Sequence, residues 1–202
     1  GPEPYRLWWT LLQVGGLETR VLDGGLAAWK DFGEGMASGE GREVTTGNIV
    51  LSGGKEDNLM WDDIAILQEK HSSMQFIDTR SIEEYTGDKL HKKALRSGHI
   101  PNAKHINWTQ SLILKQTEYS KQGIPVLKSP ESIKSLLKEN GIEWNKPLIT
   151  YCQSGTRSTS IYYALLQAGY DSDALWNYDG SWAEYSRSNH PVELGNKNKN
   201  VE

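Results

Sequence analysis

From Trp61 onward the apolar positions follow two alternating rhythms. Trp61, Ile64, Ala65 and Leu67 recur at helical spacing over residues 61–70. Gln75-Phe76-Ile77-Asp78 is a short apolar run closed by an acid, the pattern of a buried strand. Ser81 followed by Glu84 predicts a helix start with a capping box over 81–85. Residues 103–107 read as a strand and 108–114 as a helix. Pro130 opens a helix with Ile133, Leu136 and Leu137 on its apolar face, and Gly141 stops it. Leu148-Ile149-Thr150-Tyr151 is the next strand, 158–168 a helix, 174–178 a strand, and 180–187 the last helix. Strands alternating with helices imply an α/β fold, a central mostly parallel sheet flanked by helices on both faces. In such sheets ligands sit beyond the carboxyl ends of the strands.

The chain also repeats itself. Leu11-Leu12-Gln13-Val14-Gly15 resembles Leu165-Leu166-Gln167-Ala168-Gly169. Asp23-Gly24-Gly25-Leu26-Ala27-Ala28-Trp29 resembles Asp179-Gly180-Ser181-Trp182-Ala183-Glu184-Tyr185. Each copy reads as a helix, a Gly stop, a short apolar strand, an Asp-Gly turn and an aromatic helix. Residues 1–32 are therefore expected to be the remnant of a preceding domain of the same fold. Residues 33–54, rich in Gly, Ser, Thr and Glu, have linker composition, with a short strand expected near 48–51. Residues 55–194 form the main domain, and 195–202 a polar, disordered tail.

Composition narrows the function. A net charge of −4 gives no reason to expect nucleic acid or a membrane surface as a partner. No apolar run reaches membrane-spanning length. One cysteine in 202 residues excludes an intrachain disulfide. Without a second cysteine, and with His71, His91, His99, His105 and His190 scattered, no metal site is expected. No cofactor is called for. Gly1-Pro2 fits a tag-cleavage scar or the start of a fragment, and the compartment stays open between cytoplasm and periplasm.

That cysteine is the centre of the chemistry. In Thr150-Tyr151-Cys152-Gln153-Ser154-Gly155-Thr156-Arg157-Ser158 a buried strand delivers Cys152 to the sheet's carboxyl edge, and a Gly-containing loop leads into a helix. Such a loop can curl backbone N–H groups around an anion, and the helix N-terminus adds donors and partial positive charge. Both favour the thiolate, the nucleophilic form. Arg157 supplies planar donors that brace the loop or hold an anion.

Cys152-Gln153-Ser154-Gly155-Thr156-Arg157-Ser158 resembles the active-site loop of the rhodanese family. Phe76-Ile77-Asp78-Thr79-Arg80 with Glu83-Glu84-Tyr85, then Gly98-His99-Ile100-Pro101-Asn102-Ala103, resembles its amino-terminal signature. Trp176 to Trp182 resembles its carboxyl-terminal one. The resemblance covers residues 59–193 and extends, through 21–29, to tandem sulfurtransferases that act on thiosulfate or mercaptopyruvate. It implies a double displacement. Cys152 takes the outer sulfur of a small anionic donor as a persulfide, and a thiol or cyanide removes it. Gln153, Ser154, Gly155, Thr156 and Arg157 would form the binding loop. An upstream rhodanese domain of the same protein is an expected partner.

Supporting residues carry two readings each. Asp78 and Arg80 brace the active loop in the resemblance; by themselves they cap a turn and form a structural ion pair. Lys89, His91, Lys92, Lys93 and Arg96 are a basic cluster that attracts an anionic donor or a solvated loop. Trp182 and Trp108 line the pocket mouth or pack in the core. His99, before Ile100-Pro101, reads as a loop residue. Mercaptopyruvate-type members place an arginine near the position of Glu84, which favours thiosulfate or a persulfide as donor. Two other functions share parts of the pattern. A phosphatase or arsenate reductase has five residues between Cys and Arg, against four here. A regulatory or sulfur-relay binding module would need no turnover.

Overall fold

The computed structural model describes residues 1–15, 18–41, 45–48, 50–51, 53–54, 58–118 and 120–195. Two helices come first, α1 (Glu3–Val14) and α2 (Gly25–Asp31). Then follow β1 (Asn58–Leu59), α3 (Trp61–Lys70), β2 (Gln75–Asp78), α4 (Ile82–Thr86) and β3 (Lys104–His105). The hairpin β4 (Leu112–Lys115) and β5 (Ile124–Leu127) leads to α5 (Pro130–Glu139), β6 (Leu148–Tyr151), α6 (Ser158–Gln167), β7 (Leu175–Tyr178) and α7 (Ser181–Tyr185).

The main sheet has strand order β1-β7-β6-β2-β3, and every pairing in it is parallel. β6 lies in the middle, with Ile77 opposite Thr150 on one side and Trp176 opposite Ile149 on the other. All four β6 side chains are buried. Their period of two splits the core into halves. Leu148 packs with Ile77, Leu175 and the inner faces of α5 and α6. Ile149 and Tyr151 pack with Phe76, Ile64 of α3 and Trp182 of α7. Each such aliphatic side chain contributes about 1.5–3 kcal/mol by leaving water. The expected α/β fold with a parallel sheet between helices is the one found.

Local rules explain most boundaries. Ser81 caps α4, accepting the Glu84 N–H at 3.3 Å, while the Glu84 carboxylate accepts the Ser81 N–H at 3.1 Å. Ser129 caps α5 ahead of Pro130.

Several elements differ from expectation. Residues 108–114 are not a helix. Asn107 and Gln110 close a single 3-10 turn over Trp108–Ser111, and the chain then becomes β4, whose backbone is satisfied by β5 instead. β1, two residues long, pairs with β7 at the sheet edge and had no sequence pattern of its own. The short strand expected in the first repeat is absent: residues 18–22 are irregular. Their counterparts in the second copy lie in β7 between two strands, whereas Val21 and Leu22 have no neighbouring strand to pair with. Of the strand expected at 48–51, Ile49 lies outside the described residues, and Asn48, Val50 and Leu51 are in no strand. The expected disordered tail, beyond Gly195, also lies outside them.

The amino-terminal helices are packed onto the main domain. Trp9 enters the core on the α5–α6 side. Tyr5 and Trp8 meet Tyr163 of α6 with ring centroids 5.3 and 4.8 Å apart. α2 is tied to the hairpin, because the Asp23 carboxylate accepts the Leu127 N–H at 2.8 Å and Thr117 donates to Asp31 at 2.6 Å.

Candidate active site

Three strand ends meet at the carboxyl edge of the sheet. β2 ends in Asp78, β6 hands the chain to Cys152, and β7 leads into Asp179-Gly180-Ser181. Cys152 is 1 % exposed. Its loop is held from below by Ser181. The Ser181 hydroxyl accepts the N–H groups of Cys152 (3.2 Å) and Gly155 (3.0 Å) and donates to the Tyr178 carbonyl at 2.6 Å. The first turn of α7 adds N–H donors from Trp182 and Ala183 to the Cys152 and Gln153 carbonyls. These contacts turn the loop's carbonyls toward α7. The N–H groups of Gln153, Ser154, Thr156 and Arg157 then have no protein acceptor among the described residues. Donors arranged this way around a cysteine make an anion-binding concavity.

Ser181 was not singled out from the sequence. Its backbone has φ +51°, a region that side chains rarely enter. Gly25, the equivalent residue of the first repeat, has φ +55°. The repeat therefore held the signal: where one copy needs glycine, the other tolerates strain to keep a hydroxyl.

Arg157 crosses to α4 and grips Glu84 bidentately at 2.7 and 2.9 Å. Burial alone would raise the Glu84 carboxyl, but the two Arg157 hydrogen bonds and its charge hold it at about 2. Burial likewise opposes the charged guanidinium, yet Glu84, Cys152 and Asp78 leave Arg157 above its ordinary value. The pair is ionised throughout the neutral range.

Beside it lies a cavity of about 470 Å³, lined by Gln153, Ser154 and Arg157 of the loop and by Glu84, Lys89, His91, Lys92 and Lys93. Among the described residues the three lysines make no ion pair. His91 is held below its ordinary value by burial first, then by Arg157, Lys92 and Lys93, against the pull of Glu84. The Gln153 amide is buried, and both its polar atoms lack a protein partner among the described residues.

Other anticipated residues do not line this cavity. Asp78 and Arg80 form a buried bidentate pair at 2.6–3.0 Å, and Arg80 also donates to the Gly98 carbonyl at 2.7 Å. Arg96 leaves the basic cluster. Its guanidinium donates to the carbonyls of Tyr185, Ser186 and His190 at the end of α7. Trp182 is buried over the Arg80 guanidinium at 4.6 Å, and its indole N–H donates to the Arg96 carbonyl at 3.0 Å. Trp108 packs on the far side, against the α5–α6 core. His99 stacks on Tyr85 at 3.7 Å and donates to its carbonyl at 2.7 Å. No group of His, Cys, Asp and Glu able to hold a metal occurs among the described residues.

A family model described as a rhodanese-like domain matches residues 63–188. The chain belongs to the rhodanese family. Among curated rhodanese relatives, a putative thiosulfate sulfurtransferase of Synechococcus elongatus is 29% identical over 186 residues, covering 92% of this chain and 56% of the relative. One of Haloferax volcanii is 34% identical over 142 residues, covering 67% and 45%. The 3-mercaptopyruvate sulfurtransferase of Escherichia coli is 28% identical over 191 residues, covering 93% and 63%. This rhodanese chain thus spans roughly half to two thirds of their lengths. In structure it is similar to the 3-mercaptopyruvate sulfotransferase of Escherichia coli, with a TM-score of 0.69, 26% identity and coverage of 88% and 62%. It shares its fold with the anaerobic ergothioneine biosynthesis enzyme of Chlorobium limicola, with a TM-score of 0.76, 23% identity and coverage of 95% and 45%.

Proposed function

We propose that this rhodanese chain is a sulfurtransferase in which Cys152 takes a sulfane sulfur from a small anionic donor and passes it to a thiol or cyanide. The observation that carries this is the loop itself, with a buried cysteine followed by Gln153, Ser154, Thr156 and Arg157, whose N–H groups have no protein acceptor among the described residues. The thiolate attacks the outer sulfur of the donor, the bond to the inner sulfur breaks, and the remainder leaves with the electron pair. A persulfide is left on Cys152, and the loop N–H groups stabilise its terminal charge. Attack by the acceptor restores the thiolate.

The cavity favours thiosulfate over mercaptopyruvate. Three lysines that make no ion pair among the described residues suit a sulfonate-like dianion. Arg157, the guanidinium at hand for a carboxylate, is already held by Glu84. The same engagement argues against phosphate-ester chemistry, which needs a free guanidinium on the phosphoryl oxygens. Intact mass after thiosulfate treatment tests the reading. A gain of about 32 Da, lost on cyanide treatment and absent in Cys152→Ser, is expected. An unchanged mass with thiosulfate, mercaptopyruvate and a glutathione persulfide overturns it, and turnover of a phosphate ester instead selects the phosphatase alternative.

We infer further that α1 and α2 close a preceding rhodanese-like unit. In the complete copy Ile161 and Trp182 are 2 % and 1 % exposed, whereas their counterparts Leu7 and Leu26 are 62 % and 57 % exposed. Leu22 and Trp29 are exposed as well and line one apolar cleft with Leu7 and Leu26. It has the character of half a core, and a sheet from upstream in the same polypeptide is the partner that fits it.

A further inference from the structure

The family match begins at residue 63, but a side chain far upstream reaches the active-site loop. Arg6 of α1 lies over the Trp9 ring at 4.7 Å, which fixes its direction. Its guanidinium is ion-paired with the Asp179 carboxylate, with Nη2 3.3 Å from Oδ2, and Nη1 lies 3.4 Å from the Gly155 carbonyl. Asp179 precedes the Gly180-Ser181 turn whose hydroxyl holds the Cys152 and Gly155 N–H groups. It also crowds Gly155 so closely that a β-carbon there would collide with the carboxylate and stand 2.9 Å from Arg6. Among the described residues no other cation pairs with Asp179.

A carboxylate against this loop works against its chemistry, because the loop must carry negative charge on sulfur. We propose that Arg6 is a positioning residue for the sulfur-carrying loop: it neutralises Asp179 and holds the Gly155 carbonyl outward, so the amino-terminal helix completes the active site. The proposal rests on Cys152 being the nucleophile. Other charges lie around the loop: Arg157 within it, Glu84 of α4 paired with Arg157, Asp78 paired with Arg80 at the end of β2, and Lys89, His91, Lys92 and Lys93 lining the neighbouring cavity. All stay constant when Arg6 is changed, which makes a mutant cycle informative.

The test is the pH dependence of Cys152 alkylation by iodoacetamide in the full chain, which has no other cysteine to react. Arg6→Met leaves Asp179 unpaired, and the alkylation midpoint rises by about half to one pH unit. Arg6→Met with Asp179→Asn brings it back to the wild-type value. Asp179→Asn alone leaves an unpaired cation beside the loop and lowers the midpoint. Below the midpoint, persulfide formation with thiosulfate slows about 3- to 10-fold in Arg6→Met, in step with the lost thiolate. If the midpoint stays put in Arg6→Met, or the double variant keeps the single variant's shift, Arg6 is merely structural and the proposal falls. Should Arg6→Met fail to fold, an unmoved midpoint in Asp179→Asn overturns it equally. The alkylation readout needs no sulfur donor, so failure here is distinct from failure of Cys152 to carry sulfur.

Discussion

The hydroxyl of Ser181 supports the reactive loop from a backbone position that would suit glycine. Two substitutions separate its two properties. Ser181→Ala keeps the strained backbone and leaves the Cys152 and Gly155 N–H groups without their acceptor. Ser181→Gly loses the same hydroxyl but relaxes the strain, worth about 1 kcal/mol. Both are expected to slow persulfide formation about tenfold or more, with the Gly variant the more stable in urea titration. Wild-type rates in either would remove Ser181 from the loop's support. Glu84 and Arg157 make the matching case for charge. Arg157→Lys cannot reproduce the two parallel hydrogen bonds and is expected to lose most turnover while remaining folded, which stopped-flow persulfide formation and circular dichroism check together. The cysteine and loop proposed as the site could be picked out in the sequence because their residue types and order carry the signal locally. Arg6 and Asp179 were not, since nothing local pairs residues 173 positions apart.

At the scale of elements, the Arg157–Glu84 pair fastens the loop before α6 to α4. Its pH behaviour follows from the carboxyl lying at about 2 rather than the ordinary 4.5. The contribution is complete above about pH 4.5 and is lost as the pH falls toward 2. Glu84→Gln is expected to cost about 2 kcal/mol at pH 7, and the gap to wild type narrows steadily on acidification below pH 4.5. Urea titrations at pH 7, 4 and 3 measure it, and a gap that does not depend on pH would contradict the assignment. The helices with periodic apolar faces, α3, α5 and α6, were readable from sequence because their signals are local. β4 was not: Leu112-Ile113-Leu114 fits either period, and only its antiparallel partner decides. β1 is too short to carry any period.

For the molecule as a whole, the amino-terminal helices are bound on one face and open on the other. Burial of Trp9 is worth on the order of 4 kcal/mol. Cleavage between residues 33 and 54 is therefore expected to leave α1–α2 associated with the main domain under native size-exclusion conditions, and washing them off with mild urea should lower the melting temperature and raise the Cys152 alkylation midpoint together. Free release with activity intact would contradict both the packing and the role of Arg6. The internal repeat could be read in the sequence, but which of this segment's apolar side chains face the main domain depends on packing alone. The position of β6 has a last consequence, in the time domain. Leu148, Ile149 and Thr150 are paired with strands on both sides, and Tyr151 with β2, so the amide protons of this strand are expected to be among the last to exchange with deuterated water. Two residues on, Gln153 and Ser154 have amides that can exchange without breaking any protein hydrogen bond. The sulfur of Cys152 stands on that boundary between the slowest and the fastest backbone, and under the proposed function a sulfur taken up there would slow exchange in the loop while leaving the strand beneath unchanged.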